Sequence, residues 1–449
     1  MAAQIESDIG RRGWKAGTHL GTEAELMARY GVSRETLRKA IRQIEHHGVA
    51  AMRRGGGGGG GGLVVTEAAP AAAIRAVAGY LELSDVGWPE ILEARALIDL
   101  RAVELATARI DEVGIDKLRA LAGQLDQASV DAHDIARRHL ALPAAIAEAS
   151  GNPVLMLFTE ALNSFTLDIL PSELGSAQAR VAQARRTNAL LRDLVEAIVA
   201  GDALAAQQAA RTFADTGMRL ASLLERARHS ALPELDHPRA LRGAASESLQ
   251  KRPQRLALRL ARETALRGWP IGEPLGAEAE LIERHGVSRA VFREAVRLLE
   301  LHGVVYTQRG RGGGLRVGQP DPAYAVASAV RYLRRVGLEA NAYLDVRRAL
   351  QLGAAQLAAQ RATADGLARL ETAATVEDFH HRLCELTGNR ALALLTRIAF
   401  AVPARSEPAA QARLQPPTAG QLPSLLAALR AGDAARARRY MLEHISATQ

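Results

Sequence analysis

Apolar positions recur at helical spacing along most of this chain, and one such pattern occurs twice. In GVSRETLRKAIRQIEHHG, Gly31 to Gly48, the residues Leu37, Ala40, Ile41 and Ile44 share a helix face. In GVSRAVFREAVRLLELHG, Gly286 to Gly303, Phe292, Ala295, Val296 and Leu299 do the same. The stretches lie 255 positions apart, and 17 of the 29 residues from Gly21 to Val49 are identical in the second copy. A repeat at that distance is a repeated module rather than a solenoid period. Beside each apolar stripe runs an arginine stripe at i, i+4, i+8: Arg34, Arg38 and Arg42, then Arg289, Arg293 and Arg297. Ser33 and Ser288 are good N-caps, since a serine oxygen accepts from orphan amides of a first helical turn. A shorter helix precedes each copy, TEAELMARY or AEAELIERH. Thr22 and Glu25 make a capping box there, and Ala277 cannot. Gly31 and Gly286 fall where a helix must end with positive φ.

Short alternating runs follow. Val49–Arg54 and Leu63–Val65 predict two strands around a glycine tip, and Val304–Gln308 and Leu315–Val317 predict the same around GRGGG. Residues 2–12 and Arg255–Arg267 predict a leading helix for each copy. A helix-turn-helix followed by a hairpin is a winged helix. Its arginine helix suits the major groove, and its basic wing suits the backbone or minor groove. The run Gly55 to Gly62 supports two readings: a supple tip that moulds to phosphates, or a slipped codon repeat tolerated in an exposed loop. No Gly-Lys-Ser/Thr follows it, so it is not a phosphate-binding P-loop.

From Pro70 to about Arg228 the period stays helical, as in Ile91–Ile110, Ile115–Leu125, His133–Ala149, Pro153–Leu170 and Ala182–Val199. Breaks are expected at Gly151-Asn152-Pro153, at Pro171 and at Gly201-Asp202. Residues 229–253 are polar with three prolines and read as a linker. After the second winged helix, Asp321 to Gln449 is helical again. Tyr332 and Arg347 match Tyr80 and Arg95 at a spacing of 252. Thr387-Gly388-Asn389 matches Ser150-Gly151-Asn152 at 237, and Ala431-Gly432-Asp433 matches Ala200-Gly201-Asp202 at 231. The second bundle is thus a copy shortened before and after its TGN turn.

The expected fold class is mainly α: two winged helix-turn-helix units with small β-hairpin wings, alternating with two antiparallel all-α bundles. The expected domains are 1–66, 70–228, 254–318 and 321–449, with the linker between the second and third. Length alone suggests about three domains, and the repeat overrides it. Hydrophobic residues make up 48% and aromatics 4%, with alanine and leucine abundant, which favours helix. Cys384 is the single cysteine, so no internal disulfide can form. No signal core or long apolar run appears, so a cytoplasmic, nucleoid-associated protein is expected, with no membrane partner. The net charge is +8. Met1–Thr66 holds 10 Lys/Arg against 6 Asp/Glu, and Lys251–Gly318 holds 13 against 7, so the remainder is slightly negative. The positive charge sits in the two small units, as a DNA footprint should.

The pattern GVSR-x-x-x-R-x-A followed by a glycine wing resembles the GntR family of bacterial transcription regulators. The helical part with its SGNP and AGD turns is similar to the FCD effector domain of the FadR-like branch. The resemblance covers nearly the whole chain, twice. It implies operator binding to double-stranded DNA as a dimer, and a small organic acid effector held by the helical domain. It implies DNA contacts by Arg34, Arg38 and Thr36, and by Arg289 and Arg293. Ser33, Arg42, Arg53, Arg54, Ser288, Arg297, Arg309 and Arg311 complete the expected DNA-binding surface. Ala24 and Ala279 stand where the family often follows a Ser-Glu with another arginine.

Many FCD domains hold a metal through one Asp and three His. The first bundle offers His139, Pro143, Leu191 and Phe213 at those positions, so no metal is expected there. The second offers Val376, His380, Leu422 and His444, and two imidazoles bind a divalent ion weakly unless Glu377 or His381 assists. No cofactor is otherwise expected. Arg95 and Arg347 match an effector-domain arginine that could fork a ligand carboxylate. Equally, each could form an intrahelical ion pair, for instance with Glu93 or Asp345.

These features point to a sequence-specific DNA-binding regulator built as a tandem duplication, not an enzyme. One chain would act as a pseudo-dimer, or two chains as a homodimer with four heads. Two rivals stay open. A degenerate paralogue would bind DNA or a partner without sensing a ligand. An enzyme fused to a winged helix would need a nucleophile or cofactor motif, and none is recognisable. Whether binding makes a repressor or an activator is not written in these residues.

Overall fold

The computed structural model describes residues 1–53, 61–125, 127, 129, 131–173, 177–231, 252–308, 310, 313–402 and 422–447. The first head consists of α1 (Ala2–Arg11), β1 (His19–Gly21), α2 (Glu23–Tyr30), α3 (Arg34–His46), β2 (Ala50–Arg53) and β3 (Gly62–Val65). The second repeats that order: α11 (Arg252–Leu266), β4 (Pro274–Gly276), α12 (Glu278–His285), α13 (Arg289–Leu301), β5 (Val305–Gln308) and β6 (Gly314–Val317). Local chemistry sets the boundaries. Thr22 and Glu25 form the reciprocal capping box, while Ala277 leaves α12 without a side-chain cap. Gly31 and Gly286 close their helices at φ 62° and 60°. Leu37, Ala40, Ile41 and Ile44 are buried, as are Phe292, Ala295 and Leu299; Val296 is partly covered.

Each head holds a third strand that the periodicity did not reveal. The sheets run β1-β3-β2 and β4-β6-β5, all antiparallel. At three residues, β1 and β4 are too short to show alternation. Their presence explains two glycines. A Cβ on Gly62 would lie 2.3 Å from the His19 ring, and one on Gly314 would lie 2.9 Å from the Gly276 carbonyl oxygen.

The first bundle contains α4 (Ala71–Leu83), α5 (Trp88–Arg109), α6 (Glu112–Gln124), α7 (Ala132–Ala149), α8 (Pro153–Glu173), α9 (Ala177–Val199) and α10 (Ala203–Ala231). The second contains α14 (Ala323–Val336), α15 (Ala340–Arg361), α16 (Ala364–Glu371), α17 (Val376–Leu386), α18 (Arg390–Ala401), α19 (Leu422–Arg430) and α20 (Ala434–Ala447). Two expectations need correction. Pro171 does not break α8, which continues to Glu173; so near a helix end, its missing N–H disturbs only the closing turn. The expected linker is helical at both edges, since α10 reaches Ala231 and α11 begins at Arg252; 232–251 lies outside the described residues. The shortening of the second bundle is visible in α16 and α17, with 8 and 11 residues against 13 and 18 in α6 and α7.

Both bundles share one continuous hydrophobic core, while each head has its own. The halves meet through reciprocal contacts. Asn152 Nδ2 donates to the Ala342 carbonyl at 2.8 Å, and Asn389 Nδ2 donates to the Glu90 carbonyl at 2.9 Å. Arg109 reaches the Ser150 carbonyl and Asp345, while Arg361 reaches the Thr387 carbonyl and Glu93. Each pair repeats with the halves exchanged, which is the pattern of a two-fold interface. The heads cross over as well. The first head contacts α14 of the second half, through Arg331 to Glu6 and Arg335 to the Gly48 carbonyl. The second head buries Leu83 of α4 in its own core.

Candidate DNA interface and effector cavity

On α3, burying the apolar stripe leaves the arginine stripe in solvent. Arg34 and Arg38 keep 68% and 56% of their side-chain surface, and Arg42 is exposed. On α13, Arg289, Arg293 and Arg297 keep 71%, 66% and 60%. Ser33 caps α3 by accepting from the Thr36 amide at 3.3 Å, and its hydroxyl lies 2.9 Å from that of Thr36. Ser288 caps α13 through the Val291 amide. Arg53 is exposed on β2. Arg54, Arg309 and Arg311 of the wings lie outside the described residues, as does most of the Gly55–Gly62 run.

The sequence reading missed a carboxylate that serves the stripe in each head. Glu23 receives two hydrogen bonds from Arg38, at 3.0 and 3.3 Å, with Arg34 at 4.0 Å. Glu278 holds Arg293 at 3.2 Å and Arg289 at 3.6 Å. The hydrogen bond from Arg38 keeps the Glu23 carboxyl below its ordinary pKa. The glutamate occurs at the same register in both copies, and that spacing was the available signal.

In the first bundle a cavity of about 170 Å³ opens between α5, α7, α8, α9 and α10. Its lining is mostly apolar, including Trp88, Leu92, Pro143 and Phe213, with Arg95, Asp99 and His139 as charged or titratable members. Arg95 is buried. Its Nε donates to Asp99 at 3.0 Å, and its Nη1 and Nη2 have no hydrogen-bond partner among the described residues. Burial pushes the Asp99 carboxyl above its ordinary pKa, against the pull of Arg95. The ion pair therefore runs to Asp99 one turn on, not to Glu93, which pairs with Arg361 of the other half. His139 hydrogen-bonds Asn188 at 2.7 Å, and burial lowers its pKa.

The related corner of the second bundle is arranged differently. Arg347 stacks 4.6 Å over the Phe400 ring. His380 lies 5.3 Å from Phe400 and 5.4 Å from His444, ring to ring. Burial and the Arg347 charge hold both imidazoles toward their neutral forms. Asp345, the expected partner of Arg347, instead pairs with Arg101 across the halves. Among the described residues no group of three His, Cys, Asp or Glu converges to hold a metal. With Val376 and Leu422 at the remaining positions and a guanidinium beside the rings, the residues do not fit a resident divalent ion.

Comparison with known proteins matches this arrangement. The model for bacterial regulatory proteins of the gntR family matches residues 1–58, and the FCD domain model matches 90–216 and again 342–447. This chain belongs to the GntR family, with FCD domains. It is a DNA-binding transcriptional regulator with effector-type helical domains, not an enzyme. A Mycobacterium gastri protein named as an HTH-type transcriptional regulator, RmpR, is 33% identical over 207 residues, covering 44% of this chain and 72% of that one. Streptococcus agalactiae GntR is similar in structure at 19% identity and a TM-score of 0.34, over 49% of this chain and 97% of that one. E. coli McbR/YncC is similar at 18% and 0.25, over 51% and 98%. Among the described residues, no helix is long and apolar enough to cross a membrane.

Proposed function

We propose that one chain of this regulator acts as its own dimer, a tandem duplication that presents α3 and α13 to the two half-sites of an imperfect palindrome. The observation that carries this reading is the matched pair of exposed arginine stripes, each backed by a buried apolar face. The reciprocal contacts between the halves support it, because half-site spacing mirrors protein symmetry. The reading units are 1–66 and 254–318, and the bundles 70–228 and 321–449 join them. Arg34, Arg38, Arg289 and Arg293 read bases or phosphates, and Thr36, Arg42, Arg53 and Arg297 hold the backbone. The protein works in the cytoplasm on the nucleoid. Selection of bound sites from random duplexes tests the reading, followed by light scattering of the complex. One chain per two-half-site duplex is expected; two chains per duplex would refute the intramolecular pair.

The first bundle is the sensor. The free Nη1 and Nη2 of Arg95 form a fork suited to one carboxylate, and the apolar walls suit a short organic chain. The second bundle, with Phe400 against Arg347, serves a structural role. A thermal-shift panel of small mono- and dicarboxylates checks this, since a ligand of the native state raises its stability. Arg95→Met should abolish any shift and Arg347→Met should not.

A further inference from the structure

The head–bundle junctions are related by the pseudo-two-fold but differ in kind. At the first head the junction is polar: Arg331 to Glu6 at 2.8 Å, and Arg335 to the carbonyls of Gly48 and Thr66. At the second head the residue related to Arg335 is Leu83, buried among Leu256, Ala257 and Leu260 of α11. Leu83 ends α4. Five residues later Trp88 begins α5, lines the Arg95 cavity and packs edge-on against Phe165 at 5.7 Å. The core of the second head and the wall of the first bundle's cavity are therefore separated by one turn, 84–87.

That turn is held from the other half. Arg390, the first residue of α18, donates to the Ser84 carbonyl at 2.8 Å and the Asp85 carbonyl at 2.7 Å. Its guanidinium also pairs with Glu90 at 2.6 Å, and its backbone N–H donates to Glu90 at 2.7 Å. Glu90 in turn accepts from the Gly87 amide at 3.1 Å. Asp85 sits at φ 54°, a conformation that a non-glycine residue keeps only when its surroundings hold it. The related turn of the second half has Pro153 for Arg390 and Ala342 for Glu90, so it has no such clamp.

We infer that occupancy of the first bundle's cavity is read by the second head, through the Trp88–Leu83 turn, with Arg390 as the positioning residue that makes this turn rigid. The first head, docked on α14 against a bundle whose related corner is arranged differently, stands outside this path. Movement of Trp88 rotates the start of α5. The clamp keeps the turn from absorbing that rotation, so it passes to Leu83 and into the packing of α11. A packed core has discrete arrangements rather than a continuum, which lets a small shift change the set of the second head. This rests on reading α13 as a DNA-reading helix.

A built-in occupant tests it without an identified effector. Gly217 of α10 lines the cavity, and an added Cβ there meets only the Leu92 methyls, at 3.9 and 4.0 Å. Gly217→Phe places a ring in the cavity, and Gly217→Leu is the milder version should the first fail to fold. Hydrogen exchange is followed by mass spectrometry on the full chain without DNA. The expected result is a change of roughly threefold or more in the exchange of α11 and α13 amides, with α1–α3 unchanged. Adding Arg390→Ala should abolish the change in α11 and α13 while leaving that in α5 and α10. The inference is overturned if α1–α3 respond as strongly as α11–α13. It is also overturned if only cavity helices respond, or if Arg390→Ala leaves the remote response intact. Failure to retain duplex DNA at low ionic strength would instead sink the DNA reading, and that assay is separate.

Discussion

Acidification should loosen the second head before the first, and His302 contributes most at its junction with the bundles. His302 caps α13 and is buried at 3% exposure, 5.4 Å from the Tyr324 ring and 6.3 Å from the Tyr80 ring. Its Nδ1 has no partner. Burial alone lowers its pKa from 6.5 to about 4. The sign follows from proton counting. Between pH 6.5 and 4 the undocked state binds a proton that the docked state refuses, so docking is fully supported above pH 6.5 and weakens as pH falls. Two and a half pKa units correspond to ~3 kcal/mol in all, of which ~2 kcal/mol is already lost at pH 5. The first head behaves differently. Its related residue, His47, donates to Glu6 at 2.6 Å. Burial works against the Glu6 charge, but His47 and Arg331 hold its carboxyl below the ordinary range, so that junction is lost only as the pH falls through the depressed Glu6 pKa. His285 of α12 is also lowered by burial, and His381, lowered to about 4, and His380 titrate within the second bundle, so the assay must be local and compared with His302→Phe. Hydrogen exchange at pH 7 and pH 5, corrected for intrinsic rates, supplies that. The α11–α13 amides should lose protection at pH 5 while α1–α3 keep theirs, and His302→Phe should reduce the difference. Equal loss in both heads, or an undiminished loss in His302→Phe, would refute the reasoning.

Other outcomes follow from the same geometry. Arg38→Ala and Arg293→Ala should each weaken binding to a selected duplex by about fivefold to a hundredfold if they read bases, measured by fluorescence anisotropy; unchanged binding in both would show that the stripe is not the reader. Glu23→Gln releases Arg38 and removes a negative charge from the proposed DNA-facing surface, so it should tighten binding and steepen the salt dependence; weaker binding would show that Glu23 orients Arg38 for contact. Gly353→Val should destabilise the chain by about 1–3 kcal/mol, because a Cβ there would lie 2.2 Å from Leu97 where α15 crosses α5; an unchanged melting temperature would argue against that crossing.

The parts legible in the sequence were those written in a period. The stripes of α3 and α13, the caps Ser33 and Ser288, and the closing glycines each depend on residues within one or two turns. What escaped depends on partners distant in the chain. β1 and β4 exist only because β3 and β6 lie beside them. The Arg95 pair was sought at Glu93, but helix geometry favours i+4, where Asp99 stands, and Glu93 is held by Arg361, 268 residues away. In the sequence Arg95 and Arg347 looked alike; the walls that make a cavity beside Arg95 come from five helices that no local pattern brings together. Nothing local marks Arg390, which follows the TGN turn, because its partners lie in the 84–90 segment of the other half.

If the two halves arose by duplication and fusion, as proposed, covalent fusion would explain why such asymmetry can accumulate. In a homodimer every substitution appears twice, so a change that helps one junction alters the other. Under the proposed pairing each half carries its own residues. The differences gather on one path: Leu83 against Arg335, Arg390 against Pro153, Asp99 against Gln351, and an open cavity against Phe400. The positions proposed to face DNA, Arg34, Arg38 and Arg42, keep arginine partners in the second copy. Reading two half-sites requires two similar heads, whereas sensing requires only one pocket. Swapping Leu83 for arginine and Arg335 for leucine should therefore redistribute control between the heads while leaving affinity for the duplex near its original value. Loss of DNA binding in that double variant would mean that the junctions set the head spacing itself, and that the asymmetry is structural rather than regulatory.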